Sequence, residues 1–140
     1  MKHNPLYQQI NRLANGQRRQ FDQLTADAEF SGAQARVLHY LLNHPDQETF
    51  QKDLEEEFGL RPSTATALLQ GMEQKGLIHR EISRQDGRYK KLLPTPQAET
   101  YRGALFADLD ELAARLRRSI FSEDLAVWQK VTEQMIENLK

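Results

Sequence analysis

The stretch REISRQDGRYKKL, residues 80–92, gathers Arg80, Arg84, Arg88, Lys90 and Lys91, while the whole 140-residue chain carries a formal net charge of only -1. Guanidinium and ammonium groups at this density are suited to holding polyanions, because each donates charge-assisted hydrogen bonds to phosphate oxygens and arginine can do so bidentately. The clustering is local. Residues 61–91 contain seven Lys/Arg against three Asp/Glu, whereas residues 25–60 contain two against eight. A basic segment inside an otherwise acidic chain is the pattern of a defined polyanion-binding face, although a solvated charged surface has the same composition.

Other chemistries find little material. The sequence has no G-x-S-x-G elbow, no Walker loop, no dinucleotide fingerprint and no cysteine, which removes thiol nucleophiles, disulfides and thiolate zinc sites. An enzyme is not expected, nor a cofactor. His3, His39, His44 and His79 form no His-Glu-x-x-His pattern, so a metal site would need a histidine–carboxylate set joining distant segments. No run approaches the roughly 20 apolar residues of a membrane span, and MKHNPLYQQ lacks the apolar core of a secretory signal. The expectation is a single cytoplasmic domain over residues 1–140.

The elements that must position the cations are mostly helical. Leu6, Ile10, Leu13, Phe21 and Leu24 fall near one stripe and predict a first helix. Ser31 and Gln34 have capping-box spacing, and Ala35, Leu38, Leu41 and Leu42 then mark a buried face that ends at Asn43-His44-Pro45. Thr49 is placed to cap a short helix carrying Phe50, Leu54 and Phe58, which Gly59 stops. Pro62 suits the first position of the next helix, whose inner face is Ala65, Leu68, Leu69 and Met72. Its outer face presents Ser63, Thr64, Thr66, Ala67, Gln70 and Gln74, small or amide-bearing and almost uncharged.

Two helices joined by a short glycine-containing turn match a helix-turn-helix, and such an outer face can approach a major groove closely. An ordinary amphipathic helix has a similar pattern. LIHREIS and RYKKLL then read as two strands around Asp86-Gly87, a hairpin turn signal. The cations therefore fall at a hairpin tip and on its returning strand, where an arginine can enter a narrow minor groove.

Toward the C-terminus, Thr95 is predicted to open one long helix with Tyr101, Leu105, Leu109, Leu112, Leu116 and Ile120 on a coiled-coil-like stripe. Ser122 is placed to cap a last helix bearing Leu125, Trp128, Met135, Ile136 and Leu139. These apolar stripes exceed what a small helix-turn-helix domain covers. A second subunit related by two-fold symmetry would bury them, and folding back within a monomer is the alternative.

The order FSGAQARVLHYL, FQKDLEEEFGLRPSTATALLQGMEQKGLIHRE, SRQDGR and LLPT before a long helix resembles the MarR family of winged helix-turn-helix transcriptional regulators. The most specific parts are the spacing from LRPSTAT to EQKGLIHR and the Asp-Xaa-Arg at Asp86-Gly87-Arg88. The resemblance implies a mostly α fold with a small β-hairpin wing. A winged region over residues 31–95 would lie between dimerisation helices over 1–30 and 96–140, in a homodimer that binds pseudo-palindromic double-stranded DNA. Repression relieved by a small ligand is also implied.

By position, Ser63, Thr64, Thr66 and Gln70 would face the major groove. Arg61, Arg84, Lys90 and Lys91 would contact phosphates, and Arg88 would probe the minor groove. Asp86 would hold the turn by pairing with Arg88 or Arg84. Phe21, Tyr40, Tyr101 and Phe106 are candidates for a cleft that takes a small aromatic or hydrophobic anion, with Arg18 nearby, although aromatics at helical spacing also serve as core. Ala67 and Gly71 stand where family members often carry a cation. A winged-helix module that binds protein instead of DNA is the alternative function.

Overall fold

The computed structural model describes residue 3 and residues 5–140, and within them the chain folds as seven helices and one hairpin. The order is α1 (Pro5–Leu24), α2 (Gly32–Asn43), α3 (Gln51–Phe58), α4 (Pro62–Gln74), β1 (Ile78–Ile82), β2 (Lys90–Pro94), α5 (Pro96–Glu99), α6 (Arg102–Arg117) and α7 (Ser122–Asn138). This is the mostly α class with a small hairpin that the sequence predicts.

Helix α2 is the central element of the core. Its capping box is formed: Gln34 N–H donates to Ser31 Oγ at 3.1 Å, and Ser31 N–H donates to Gln34 Oε1 at 3.2 Å. With the start fixed, Ala35, Val37, Leu38, Leu41 and Leu42 turn inward against Leu54, Leu69, Met72, Leu105 and Leu112. Burying a leucine fully contributes about 1.5–3 kcal/mol before cavity terms, so this layer fixes how α3 and α4 sit on α2.

Two local starts differ from expectation. The cap of α3 is Phe50, not Thr49: Asp53 reaches back to accept the Phe50 N–H at 2.9 Å, while Thr49 is buried and its carbonyl accepts the Leu92 N–H at 2.7 Å. The chain before α3 is thereby bonded to the hairpin. Ser122 is the first residue of α7 and makes no capping bond; Phe121 holds the cap position.

The predicted long helix is also broken. Thr95 caps and Pro96 opens α5, but the Thr100 and Tyr101 N–H groups turn back to carbonyls three residues earlier, Gln97 and Ala98. Helix α6 restarts at Arg102, whose guanidinium holds Glu99 at 2.8 and 3.1 Å and donates to the Leu42 carbonyl at 3.3 Å. The break is tied to α2.

Gly59 ends α3 at φ 62, a left-handed conformation that costs other residues energy. Between α6 and α7 the same region is occupied by a non-glycine, Ser119 (φ 62).

The terminal helices divide between two environments. Phe21 of α1 and Leu105 and Leu112 of α6 are buried in the protomer's own core. Leu6, Tyr7, Ile10 and Leu13 of α1, Leu116 and Ile120 at the end of α6, and Val127, Trp128, Val131, Ile136 and Leu139 of α7 are exposed. Helix α7 has no buried residue at all. Among the described residues, no helix is long and apolar enough to cross a membrane.

Candidate nucleic-acid interface

Helix α4 is anchored before its outer face is considered. Ala65, Leu69 and Met72 are buried, which leaves Ser63, Thr64, Ala67, Gln70 and Gln74 exposed. Arg61, at the cap position, makes no capping bond and is also exposed.

Thr66 differs from its neighbours. Its hydroxyl donates to the Pro62 carbonyl and accepts from Gln51 Nε2, both at 2.9 Å, and it is half-buried. It ties α4 to α3 instead of presenting a free hydroxyl. Gly71 has a steric account: a Cβ there would lie 3.0 Å from Gln34 Nε2, while Gln34 Oε1 also accepts from Lys75 Nζ at 2.9 Å. The Gln34 side chain at the start of α2 lies against α4 here, and a Cβ at 71 would have to push its amide aside by a few tenths of an ångström.

The hairpin follows with the register Ile78↔Pro94, Arg80↔Leu92 and Ile82↔Lys90. Ile78 and Leu92 are buried at its base, and Arg80 reaches Glu73 of α4 at 2.8 Å. At the tip, Asp86 grips Arg88 three ways: Oδ1 accepts the Arg88 N–H at 3.1 Å and Nε at 3.0 Å, and Oδ2 accepts an Nη at 2.8 Å. The Arg88 side chain is nonetheless 81% exposed. Its hydrogen bonds hold the Asp86 carboxyl below the usual carboxylate range, so the pair is ionised at neutral pH. The guanidinium carbon also stands 5.7 Å from the centre of the Tyr89 ring, which packs edge-on to Phe50. Arg88 is thus aimed outward by a carboxylate and backed by an aromatic.

Tyr89 is missing from the sequence reading; its signal was an aromatic set among cations in RYKK. Strand alternation separates the two lysines. Lys90 is exposed, whereas the Lys91 side chain is only 14% exposed and its ammonium lies 3.8 Å from Glu48. Arg84 is exposed, with its backbone N–H donated to the same Glu48 at 3.0 Å.

A groove of about 780 Å³ opens among α1, α2, α3 and α6. Phe21 and Tyr40 line it, together with Arg18, Arg36, His39, His44, Glu57 and Phe58. Tyr101 and Phe106 do not. Tyr101 sits at the α5–α6 turn, edge-on to Phe30 at 5.0 Å with its hydroxyl donated to Glu29 at 3.1 Å. Phe106 packs on His39 at 5.2 Å and lies beneath Arg102. Burial and the neighbouring His44 hold His39 below the ordinary histidine value, so its ring is neutral near pH 7. Among the described residues, no group of three or more histidine and carboxylate side chains is placed to hold a metal ion.

A family model described as MarR family matches residues 29–88, the span from Glu29 through the wing arginine. The chain is similar to the transcription regulator MarR from Oenococcus oeni PSU-1, at 30% identity and a TM-score of 0.79 over 94% of this chain and 98% of that one. The chain belongs to the MarR family.

Two more distant likenesses concern the fold. The transcriptional regulator PA3341 matches the MarR-family chain with a TM-score of 0.89 at 24% identity, over 96% and 97% of the two chains. S. aureus MepR in its DNA complex matches with a TM-score of 0.80 at 22% identity, over 99% and 97%. No curated protein matches. As a MarR-family member, the chain is a DNA-binding transcriptional regulator and not an enzyme.

Proposed function

We propose that the chain is a homodimeric repressor whose two winged domains bind a pseudo-palindromic operator and are released from it by a small aromatic or hydrophobic anion. The observation that carries the dimer is α7, a 17-residue helix with apolar residues along its length and none buried. Two-fold pairing through α1, the end of α6 and α7 would cover these side chains and place two copies of α4 on one duplex.

In each half-site Ser63, Thr64 and Gln70 would read the major groove, Arg61, Arg84 and Lys90 would hold phosphates, and Arg88 would enter the minor groove. Thr66, bonded to Gln51, would support α4, and Lys91, turned to Glu48, would support the wing. Asp86 would fix the aim of Arg88.

The ligand reading rests on the groove, where Arg18 has no carboxylate partner among the described residues and Arg36 is paired with Asp22 at 2.8 Å. Phe21, Tyr40 and Phe58 supply rings beside Arg18, with Glu57 as the opposing charge. S. aureus MepR has been crystallised bound to ethidium bromide and, separately, to DNA. A ligand releases DNA only by binding the incompetent dimer geometry better than the competent one.

Selection from a random duplex library should return two inverted half-sites about 10 base pairs apart, centre to centre, or a multiple of that. Aromatic carboxylates that bind should lower affinity for the selected duplex, and Arg18→Ala should weaken them roughly ten-fold while sparing neutral analogues. A selected motif with one half-site would overturn the dimer reading. Carboxylates that bind without changing DNA affinity would overturn ligand release.

A further inference from the structure

The wing of the MarR-family chain is held by a residue that lies outside it. Glu48, in the loop between α2 and α3, places its carboxylate among three donors of the hairpin. Oε2 accepts the Ser83 hydroxyl, Oε1 accepts the Arg84 N–H at 3.0 Å, and the Lys91 ammonium stands 3.8 Å from Oε1. The next residue adds a fourth bond, the Thr49 carbonyl accepting the Leu92 N–H at 2.7 Å.

Ser83 passes the constraint on. It is 4% exposed, and its Oγ accepts the N–H groups of both Gln85 and Asp86 at 3.1 Å. Those bonds set the backbone at Asp86, whose carboxylate in turn fixes the Arg88 guanidinium. Glu48 also remains charged, since its hydrogen bond from Ser83, its bond from Arg84 N–H and the nearby cations hold its carboxyl below the ordinary value.

We propose that Glu48 and Ser83 are positioning residues for DNA binding, the first two members of a relay, Glu48 to Ser83 to Asp86 to Arg88, that aims the wing arginine. This rests on the reading that Arg88 contacts DNA. The proposal runs against simple electrostatics. Removing Glu48 deletes a negative charge beside a polyanion site and frees the Lys91 ammonium, both of which favour tighter binding. Loss of the relay favours weaker binding, because an arginine that samples many rotamers must be ordered again when it enters a groove. The relay contains two short-range turns and a buried hydroxyl, so its loss disorders the tip without removing the core beneath it.

The test measures affinity for the duplex selected by the unaltered protein, at one salt concentration, for Arg88→Ala, Glu48→Ala, Ser83→Ala and the double variant Glu48→Ala/Arg88→Ala. Circular dichroism checks that each is folded, and Glu48→Gln replaces Glu48→Ala if the latter is not. The expected result is that Glu48→Ala and Ser83→Ala each weaken binding roughly three- to ten-fold. The double variant should be within about two-fold of Arg88→Ala alone, because residues acting through one group are not additive. Binding by Glu48→Ala equal to or tighter than the unaltered protein overturns the relay, as do fully additive losses, which a merely structural role would produce. If Arg88→Ala itself binds normally, the wing reading fails, and that outcome is distinct from normal binding by Glu48→Ala alone.

Discussion

Replacing Trp128 and Val131 with glutamate should yield a folded monomer whose affinity for the full operator is lower by roughly 10²–10⁴-fold, the factor lost when two linked half-site contacts become independent. Both side chains are exposed on α7, 50% and 43%, so the protomer's core does not depend on them. Charged groups there would be trapped against apolar side chains in any dimer built on this helix, and burying an unpaired charge costs several kcal/mol. Leu112 would make a poor test of the same idea. It is 7% exposed within the protomer's core, and a charge there would unfold the chain whether or not it dimerises. Sedimentation reads the association state and circular dichroism the fold. A persistent dimer would show that α7 is not the interface, and a monomer with full affinity would show that dimerisation is not needed for binding.

Arg88→Ala should weaken operator binding roughly ten-fold or more and relax the preference for A·T-rich positions flanking each half-site, because a narrow minor groove rewards an inserted guanidinium. The sharper variant is Asp86→Ala. It removes a negative charge from the wing, so Coulomb's law alone favours tighter binding. The three hydrogen bonds between Asp86 and Arg88 argue the other way: without the carboxylate the arginine loses its fixed direction, and affinity should fall by part of the Arg88→Ala loss. Competitive retardation with flanks of different composition measures both effects. Tighter binding by Asp86→Ala would remove the aspartate from its positioning role.

Much of this was legible in the sequence where the decisive interactions are local. The Ser31–Gln34 box, Pro62 at a helix start, Gly59 at a helix end and the Asp86-Gly87 turn each act within a few residues, and each is found in its expected element. What was not legible involves distant partners. Thr49 reads as a cap, but Phe50 takes that place and the Thr49 carbonyl accepts the Leu92 N–H, and the ion pair of Lys91 with Glu48 joins segments far apart in the chain. Tyr101 and Phe106 are groove candidates as aromatics, and the contacts that hold them elsewhere, Phe30 and Glu29 for Tyr101 and His39 for Phe106, come from segments far away in the chain. The turn at Thr100–Tyr101, tied to α2 by Arg102 and the Leu42 carbonyl, interrupts the helix yet leaves Leu105 and Leu112 in the core, where the stripe places them. Glu48 gave no motif at all; its importance exists only once the α2–α3 loop is folded against the hairpin.

The central claim, that α4 and the wing bind the phosphate backbone and grooves of a duplex as a pair, is tested most directly by the salt dependence of affinity for the selected duplex. Arg61, Arg84 and Lys90 from two subunits make six phosphate contacts in this account, which predicts a slope of log K against log salt near -5, at about 0.9 per contact. Lys90→Ala should reduce its magnitude by about two, since both subunits lose a contact, while Lys91→Ala should leave it nearly unchanged. A slope near zero, with weak binding at every salt concentration, would contradict the account and leave the hairpin as a surface for protein.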